Sequence, residues 1–335
     1  MTATIKFKPK QVTKRLTSVL PTRTKDVVVS RFGLGKKPKS MTLESIGKKY
    51  GITRERVRQI ENYALNNIRK SDAYVKEKDA FDELENILHE LGTIVTEDDF
   101  LNIVAPEESL QNHVNFLLIL GHKFIYKKED EHFKHRWHVD QDDISDKVHE
   151  TLKNIYKNLS NNDLIQETDI IASFLENIKD IAGKYKNDEI IRRWLNISKK
   201  ISKNPLGEWG LSNSPNIKAK GMKDYAFLVL RKHGSPIHFS QVAKSISELF
   251  GKKAHIATCH NELIKDSRFV LVGRGLYALS EWGYLSGVVK DVIKKLIEKN
   301  GPMTRREIMD KVLKERYVKE NTISINLQNS KYFKN

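Results

Sequence analysis

The sequence has little of several features that define other classes of protein. It contains a single cysteine, Cys259, in 335 residues, which excludes an intramolecular disulfide framework and a cysteine-based zinc site. No apolar run approaches the length of a membrane span, and the N-terminal MTATIKFKPK lacks the apolar core of a signal peptide. We therefore expect a protein that stays in the cytoplasm.

The sequence also lacks the residue patterns typical of catalysis. No Ser-His-Asp set, no paired carboxylates in an apolar setting and no His-Glu metal box stand out, so we expect no enzyme, no metal and no cofactor. His132, His135 and His138 are spaced three apart, and on a strand such residues alternate faces, so their rings would not converge on a metal. We predict solvent-facing histidines on a hairpin instead, and a buried Cys259.

The net charge of +16 is distributed unevenly along the chain. Residues 1–75 hold 18 Lys and Arg against 5 Asp and Glu, whereas residues 76–146 hold 7 against 18. A basic segment attracts phosphate backbones and an acidic one is repelled by them. We therefore predict that the acidic segment binds a protein, or the basic segments of this same chain.

The stretch from Thr42 to Lys70 has the pattern of a helix-turn-helix. Gly51 permits a sharp turn and Thr53 can cap a second helix. The second helix carries an apolar stripe, and its opposite side carries residue types that hydrogen-bond base edges in a major groove: Arg54, Glu55, Arg58, Gln59, Asn62 and Asn66. Spacing alone leaves a solvated amphipathic helix in a bundle as an equal alternative.

Three segments around this pattern, VVSRFGL at 28–34, TLESIG at 42–47 and ITRERVRQIE at 52–61, resemble region four of bacterial sigma-70 family sigma factors. The resemblance spans about residues 11–72. In that family the region binds the minus-35 promoter element and the flap of RNA polymerase. The resemblance implies that Arg54, Glu55 and Gln59 contact bases and that Arg58 contacts mainly the backbone. The full set that we predict to bind DNA is Thr53, Arg54, Glu55, Arg56, Arg58, Gln59 and Asn62, with Lys36 and Lys37 on the preceding loop.

A second resemblance lies further along the chain. HGSPIHFSQVAKSI at 233–246 and VGRGLYALSEWG at 272–283 are similar to the HARE helix-turn-helix domain, found in the delta subunit of RNA polymerase and in some chromatin and restriction proteins. The order of predicted elements here is that of a winged helix, and Arg274 on its hairpin is a possible minor-groove contact. In a winged helix that binds DNA, the third helix enters the groove. Here the third helix of the acidic segment, 110–120, is mostly apolar, and that of the HARE-like segment, 254–265, is only weakly basic, which favours structural or protein-docking roles.

We thus expect a mainly α fold with small β-hairpins, in which an N-terminal helix-turn-helix domain is followed by tandem winged-helix domains. The predicted domains are a sigma region-four-like domain (1–75), an acidic winged-helix-like domain (76–141), a diverged winged-helix-like domain (145–213), the HARE-type winged helix (221–283) and a partial winged helix (284–335).

The predicted function is that of a sigma-like transcription initiation factor on the nucleoid. Its expected partners are double-stranded promoter DNA and the RNA polymerase core, at the flap region. No segment resembles the sigma region that melts the minus-10 element, so we expect that the protein does not open promoters alone. The alternatives are a stand-alone DNA-binding regulator and the specificity module of a restriction or modification system.

Overall fold

The computed structural model describes residues 5–35, 39–139, 143–178 and 180–328, so the predicted contacts Lys36 and Lys37 lie outside the described residues. The chain divides into two compact units. The first comprises Met1–Leu159 and Glu167–Ser202, and the second comprises Ser160–Gln166 and Lys203–Asn335. The predicted fold class is confirmed in its coarse form, because the chain is mainly helical with small antiparallel sheets. Among the described residues, no helix is both long and apolar enough to cross a membrane.

The first unit begins with five helices: α1 (Pro9–Thr17), α2 (Thr22–Phe32), α3 (Leu43–Tyr50), α4 (Arg54–Arg69) and α5 (Asp72–Lys76). Helices α1 and α2 are separated at Pro21, which precedes the first residue of α2. Gly33 ends α2 with a left-handed backbone, at φ +65°. A side chain is strained in that conformation, which explains why glycine occupies the position.

The acidic module follows, with the elements α6 (Lys78–Glu90), β1 (Ile94–Thr96), α7 (Glu97–Val104), α8 (Glu108–Leu120), β2 (Ile125–Lys127) and β3 (Arg136–His138). The three strands form an antiparallel sheet in the order β1-β3-β2. Thr96 caps α7, because its Oγ1 accepts a hydrogen bond from Asp99 N at 3.1 Å. The sequence pattern missed β1, which at three residues is too short to show alternation.

The prediction of solvent-facing histidines is wrong for His138, whose side chain is buried. His138 lies on β3, the central strand, opposite Ile94 on one side and Ile125 on the other. A central strand is covered at both edges, and all three residues of β3 are buried. His135 remains exposed and lies within 2.9 Å of the Tyr126 hydroxyl.

Three further helices belong to the first unit: α9 (Ile144–Asn158), α10 (Glu167–Asn177) and α11 (Asp188–Ile197). They pack on the acidic module through buried aromatic side chains. Trp194 Nε1 donates to the Gly92 carbonyl at 2.9 Å, and Thr93 Oγ1 donates to the Tyr185 hydroxyl at 3.0 Å. The predicted domain 145–213 is therefore divided between the two units in this structure.

The N-terminal helices and the acidic module share one hydrophobic core. Helix α8 provides its centre, with Val114, Phe116, Leu117, Leu118 and Leu120 fully buried. They join a cluster with side chains of the N-terminal helices, among them Val12 and Leu16 of α1, Val28 of α2 and Ile68 of α4. The prediction that residues 110–120 form a structural helix rather than a groove reader is confirmed.

Polar contacts cross the same boundary. Arg15 of α1 forms a two-point ion pair with Glu77, in which Nη2 lies 2.9 Å from Oε2. Arg69 of α4 donates to the carbonyl oxygens of Ile119 at 2.7 Å and Leu120 at 3.0 Å. Of the two partners predicted for the acidic segment, the structure thus shows contacts with basic segments of this chain, and binding of another protein stays a prediction.

A short strand, β4 (Ile201–Lys203), precedes the elements of the second unit: β5 (Trp209–Leu211), α12 (Met222–His233), β6 (Ile237–His238), α13 (Phe239–Phe250), α14 (Ile256–Lys265), β7 (Phe269–Gly273), β8 (Leu276–Leu279), α15 (Val289–Asn300), α16 (Arg305–Glu315) and α17 (Glu320–Leu327). Its main sheet has the order β6-β8-β7. The predicted helices and hairpin of the HARE-like segment are confirmed. The last three helices form a separate small core, and Tyr317 N donates to Val272 O of β7 at 2.7 Å.

Candidate nucleic-acid interface

The turn between α3 and α4 depends on two glycines. Gly51 ends α3 with φ +64°, a left-handed conformation that favours glycine. Gly47 accepts a hydrogen bond from Ile52 N at 3.0 Å, and a Cβ at Gly47 would lie 2.6 Å from Ile52 O. A side chain at position 47 would therefore force the turn open. Sequence reasoning identified Gly51 but missed Gly47, because its close contact depends on the three-dimensional turn.

Threonines begin both helices of the motif. Thr42 Oγ1 accepts from Ser45 N and Thr53 Oγ1 accepts from Arg56 N, each at 3.1 Å. These bonds satisfy backbone donors that the first turn of a helix leaves without partners. The predicted cap at Thr53 is confirmed, and its position fixes where the polar side chains of α4 begin.

The apolar side of α4 anchors the helix in two places. Near its start, Val57 packs with Val27 of α2 and Ile46 of α3 in a small core of their own. Near its end, Ala64 and Ile68 enter the larger core shared with α8. The predicted apolar stripe is therefore confirmed, with Ile60 half-buried as its remaining member.

The opposite side of α4 is exposed. Six side chains of α4 are predicted to bind DNA, and all of them are solvent-exposed among the described residues: Arg54, Glu55, Arg56, Arg58, Gln59 and Asn62. Asn66 continues the same side toward the end of the helix and is also exposed. The structure thus gathers these residues on one accessible helical face, which is the geometry that entry into a major groove requires.

Hydrogen bonds tie these side chains into two pairs. Arg58 donates to both carboxylate oxygens of Glu55, at 2.9 and 2.7 Å, and Arg56 donates to Gln59 Oε1 at 3.0 Å. The hydrogen bond from Arg58 lowers the pKa of Glu55, and the same bond raises the pKa of Arg58. Exposed pairs of this kind contribute little to stability. Each side chain can therefore leave its partner and bind a base or a phosphate instead.

A groove runs beside this face. It has a volume of about 680 Å³ and is bounded by Arg23 and Thr24 of α2 and by Arg56, Gln59 and Tyr63 of α4. Two guanidinium groups make it attractive to an anionic backbone. Sequence reasoning missed Arg23 and Tyr63. Helical spacing from Arg56 and Gln59 would have indicated Tyr63, whereas only the packing of α2 beside α4 reveals Arg23.

The remaining predicted contact, Arg274, lies in the second unit. It is exposed at the turn between β7 and β8, where Gly275 has φ +71°. The predicted burial of Cys259 is confirmed, and burial raises the pKa of its thiol to about 11. Across the described ranges, no group of three or more His, Cys, Asp or Glu is placed to hold a metal ion.

Comparison with known families agrees with this geometry. Residues 18–70, which contain α2, α3 and α4, match the family described as Sigma-70, region 4. This part of the chain is similar to region 4 of the sigma-70 family. Residues 221–282 match a second family, HARE-HTH, whose description names ASXL and a restriction endonuclease HTH domain.

Individual relatives match the region 4 domain. The RNA polymerase sigma factor RpoS of Coxiella burnetii is 48% identical over 56 residues, covering 17% of this chain and 16% of that protein. The RNA polymerase sigma factor SigA of Clostridium acetobutylicum is 39% identical over 80 residues, covering 24% and 21%. The chain thus spans about a fifth or less of the length of these relatives. No solved structure gives a significant match.

Proposed function

We propose that this protein is a transcription initiation factor that binds a promoter element of the minus-35 type through α4 and contacts RNA polymerase. The observation that carries the proposal is the exposed polar face of α4 within a sigma-70 region 4 domain. The two relatives described above are RNA polymerase sigma factors, which supports the same function here. The protein would act without catalysis, at the nucleoid in the cytoplasm.

In this proposal α4 lies in the major groove, where some side chains contact bases and others contact phosphates. Arg54, Glu55 and Gln59 contact base edges, since arginine pairs with guanine, glutamine with adenine and glutamate with the cytosine amino group. Arg58 and the groove residue Arg23 contact phosphates, as do Lys36 and Lys37 of the preceding loop. Phosphate contacts fix the position of the helix, and base contacts provide the sequence preference.

We further infer that residues 78–138 and 222–279 are two winged helices in tandem. Each has a helix, a short strand, two helices and a hairpin, and in each sheet the last strand lies in the middle. The third helix of the first copy, α8, is buried against α1 and α2, which leaves it no access to DNA. In the second copy, Arg274 is exposed and contacts a minor groove. The region 4 domain, in contrast, binds the flap of RNA polymerase.

Replacing Arg54 with alanine should relax sequence preference by about 1 to 3 kcal/mol at one base pair, because a bidentate base contact contributes that much discrimination. The binding motif is first selected from random duplexes, and affinities for matched and mismatched duplexes are then measured by fluorescence anisotropy. Arg23→Ala is the control, since loss of a phosphate contact should weaken all duplexes alike and reduce the salt slope by about 0.9. An equal loss on all duplexes for Arg54→Ala would contradict its role in base recognition.

The polymerase part of the proposal needs a separate test. Genome-wide DNA binding, measured with and without polymerase inhibition, should give peaks upstream of transcription starts that weaken when polymerase is blocked. Core polymerase should also be retained by the immobilised full chain. Peaks that are unchanged by inhibition, together with no retention of polymerase, would indicate a stand-alone regulator instead.

A further inference from the structure

The first unit contains another basic pocket, formed by α1, α2, α8 and the residues that follow α2. Its volume is about 410 Å³, within the usual range for small-molecule sites. Helices α1 and α8 lie outside both family matches, at residues 18–70 and 221–282. The pocket therefore exists only because the acidic module packs on the N-terminal helices, and neither family on its own would contain it.

Positive charge is concentrated in this pocket. Lys10 and Lys14 of α1 and Lys25 of α2 line it, and none of its described lining residues is acidic. Lys10 Nζ donates to Ser109 Oγ at 2.9 Å, which links α1 to α8 across the pocket, and Ser109 in turn donates to Glu107. Three cations around a concave surface focus a positive potential, which attracts a small anion.

A buried histidine provides independent support for a ligand. His113 of α8 lines the pocket and is only 6% exposed, yet its buried Nδ1 has no hydrogen-bond partner among the described residues. Burial, and then the charge of Lys10, lower the pKa of His113. A buried polar atom without a partner costs free energy, so such an atom calls for an explanation. A ligand that pairs with this nitrogen after the imidazole rotates about its Cβ–Cγ bond would provide one.

The position of the pocket separates it from the DNA-binding face. Lys25 and Val29 line the pocket, whereas Arg23 and Thr24 border the groove beside α4. At about 100° per residue, these two pairs lie on nearly opposite sides of α2. A duplex bound along α4 therefore does not reach the pocket, which favours a free phosphate compound over a backbone phosphate of the same duplex.

We propose that this pocket binds a small phosphorylated molecule of about nucleotide size, held through its phosphate by Lys10, Lys14 and Lys25 and paired with His113. Val29 and Leu34 provide apolar surface for the remainder of the ligand. Because α1, α2 and α8 join the region 4 domain to the acidic module, occupancy stabilises the whole first unit. A ligand that binds only the folded state adds stability in proportion to the logarithm of its concentration.

Calorimetric titration of the full chain with inorganic phosphate, pyrophosphate and ATP tests the proposal. We expect saturable binding of at least one probe, weakened at least about tenfold by Lys10→Gln combined with Lys14→Gln, since about 1.4 kcal/mol corresponds to tenfold. The control combines Lys8→Gln and Lys70→Gln, which removes the same charge from exposed positions outside the pocket. The imidazole NMR signal of His113 should move in the native protein on saturation and stay unchanged in the pocket variant.

Other outcomes would overturn the proposal. No saturable binding of any probe, or equal weakening in the pocket and control variants, would leave only a diffuse basic surface. If short duplex DNA displaced the probe, and the pocket variant lost affinity for all duplexes alike, the lysines would be backbone contacts. We expect the pocket variant to keep its sequence preference for DNA. A loss of ligand binding can therefore be told apart from a failure of promoter recognition.

Discussion

Replacing Phe116 with alanine is expected to destabilise the DNA-binding domain strongly, although Phe116 lies outside it in the acidic module. Phe116 is fully buried, and its ring packs 5.1 Å from that of Phe32 at the end of α2. Truncating a buried phenylalanine costs about 3 to 5 kcal/mol, through lost burial and the cavity left behind. Since domains are stable by only about 5 to 15 kcal/mol, the substitution would remove a large part of the stability of the first unit.

Fluorine NMR of fluorotryptophan-labelled protein can follow this unfolding unit by unit, because Trp137 and Trp194 lie in the first unit and Trp209 and Trp282 in the second. In urea, the first pair of signals should unfold at lower concentration in Phe116→Ala, and specific DNA binding should be lost at the same urea concentration.

Phe227→Ala, in the core of the second unit, is the matched control. It should lower the unfolding concentration only for the second pair of signals and leave base recognition by α4 intact. If the first pair of signals unfolded at the same urea concentration in Phe116→Ala as in the native protein, the shared core would not support the region 4 domain.

The helix-turn-helix could be predicted almost completely from local sequence. Its signals are short-range: a glycine at the turn, threonine caps, and an apolar stripe that repeats within one helix. The structure places Gly51 and Thr53 in the predicted roles. Such features are encoded within a few residues, so they do not depend on what the remainder of the chain does.

Features that depend on distant contacts could be predicted only in part. The apolar character of α8 indicated burial, and the acidic charge of its module indicated basic partners within the chain. Neither pattern could identify Phe32 and Arg69 as the residues that contact α8. His138 was misjudged for the same reason, because strand order decides which strand is central and no local pattern gives that order.

Acidification should destabilise the first unit well before its carboxylates titrate. His149 is buried, and its Nε2 accepts a hydrogen bond from Arg136 Nε at 2.8 Å, so this imidazole must be neutral. Burial, followed by the charges of Arg136 and Lys127, lowers the pKa of His149 to about 3, although Asp146 opposes the shift. Burial, followed by Lys127 and Arg136, lowers the pKa of His138 to about 4.

Both pKa values lie below the ordinary value of 6.5 for a histidine in the unfolded chain. Between about pH 6.5 and about pH 5, the unfolded state therefore takes up protons that the folded state does not. As the pH falls, the free energy of unfolding should decrease by about 1.4 kcal/mol per pH unit for each histidine. For the two histidines together, the slope should approach about 3 kcal/mol per pH unit. Stability should be fully recovered above about pH 7.

Urea unfolding of the first unit, followed through the fluorine signals of Trp137 and Trp194 from about pH 7.5 to about pH 5, measures this slope. His149→Gln keeps a side-chain acceptor for Arg136 but cannot titrate, so it should reduce the slope by about 1.4 kcal/mol per pH unit. His122→Gln, an exposed position in the same unit, controls for loss of an imidazole and should leave the slope unchanged. An unaltered slope in His149→Gln would mean that the buried pair with Arg136 does not exclude the proton, and that another group sets the acid sensitivity.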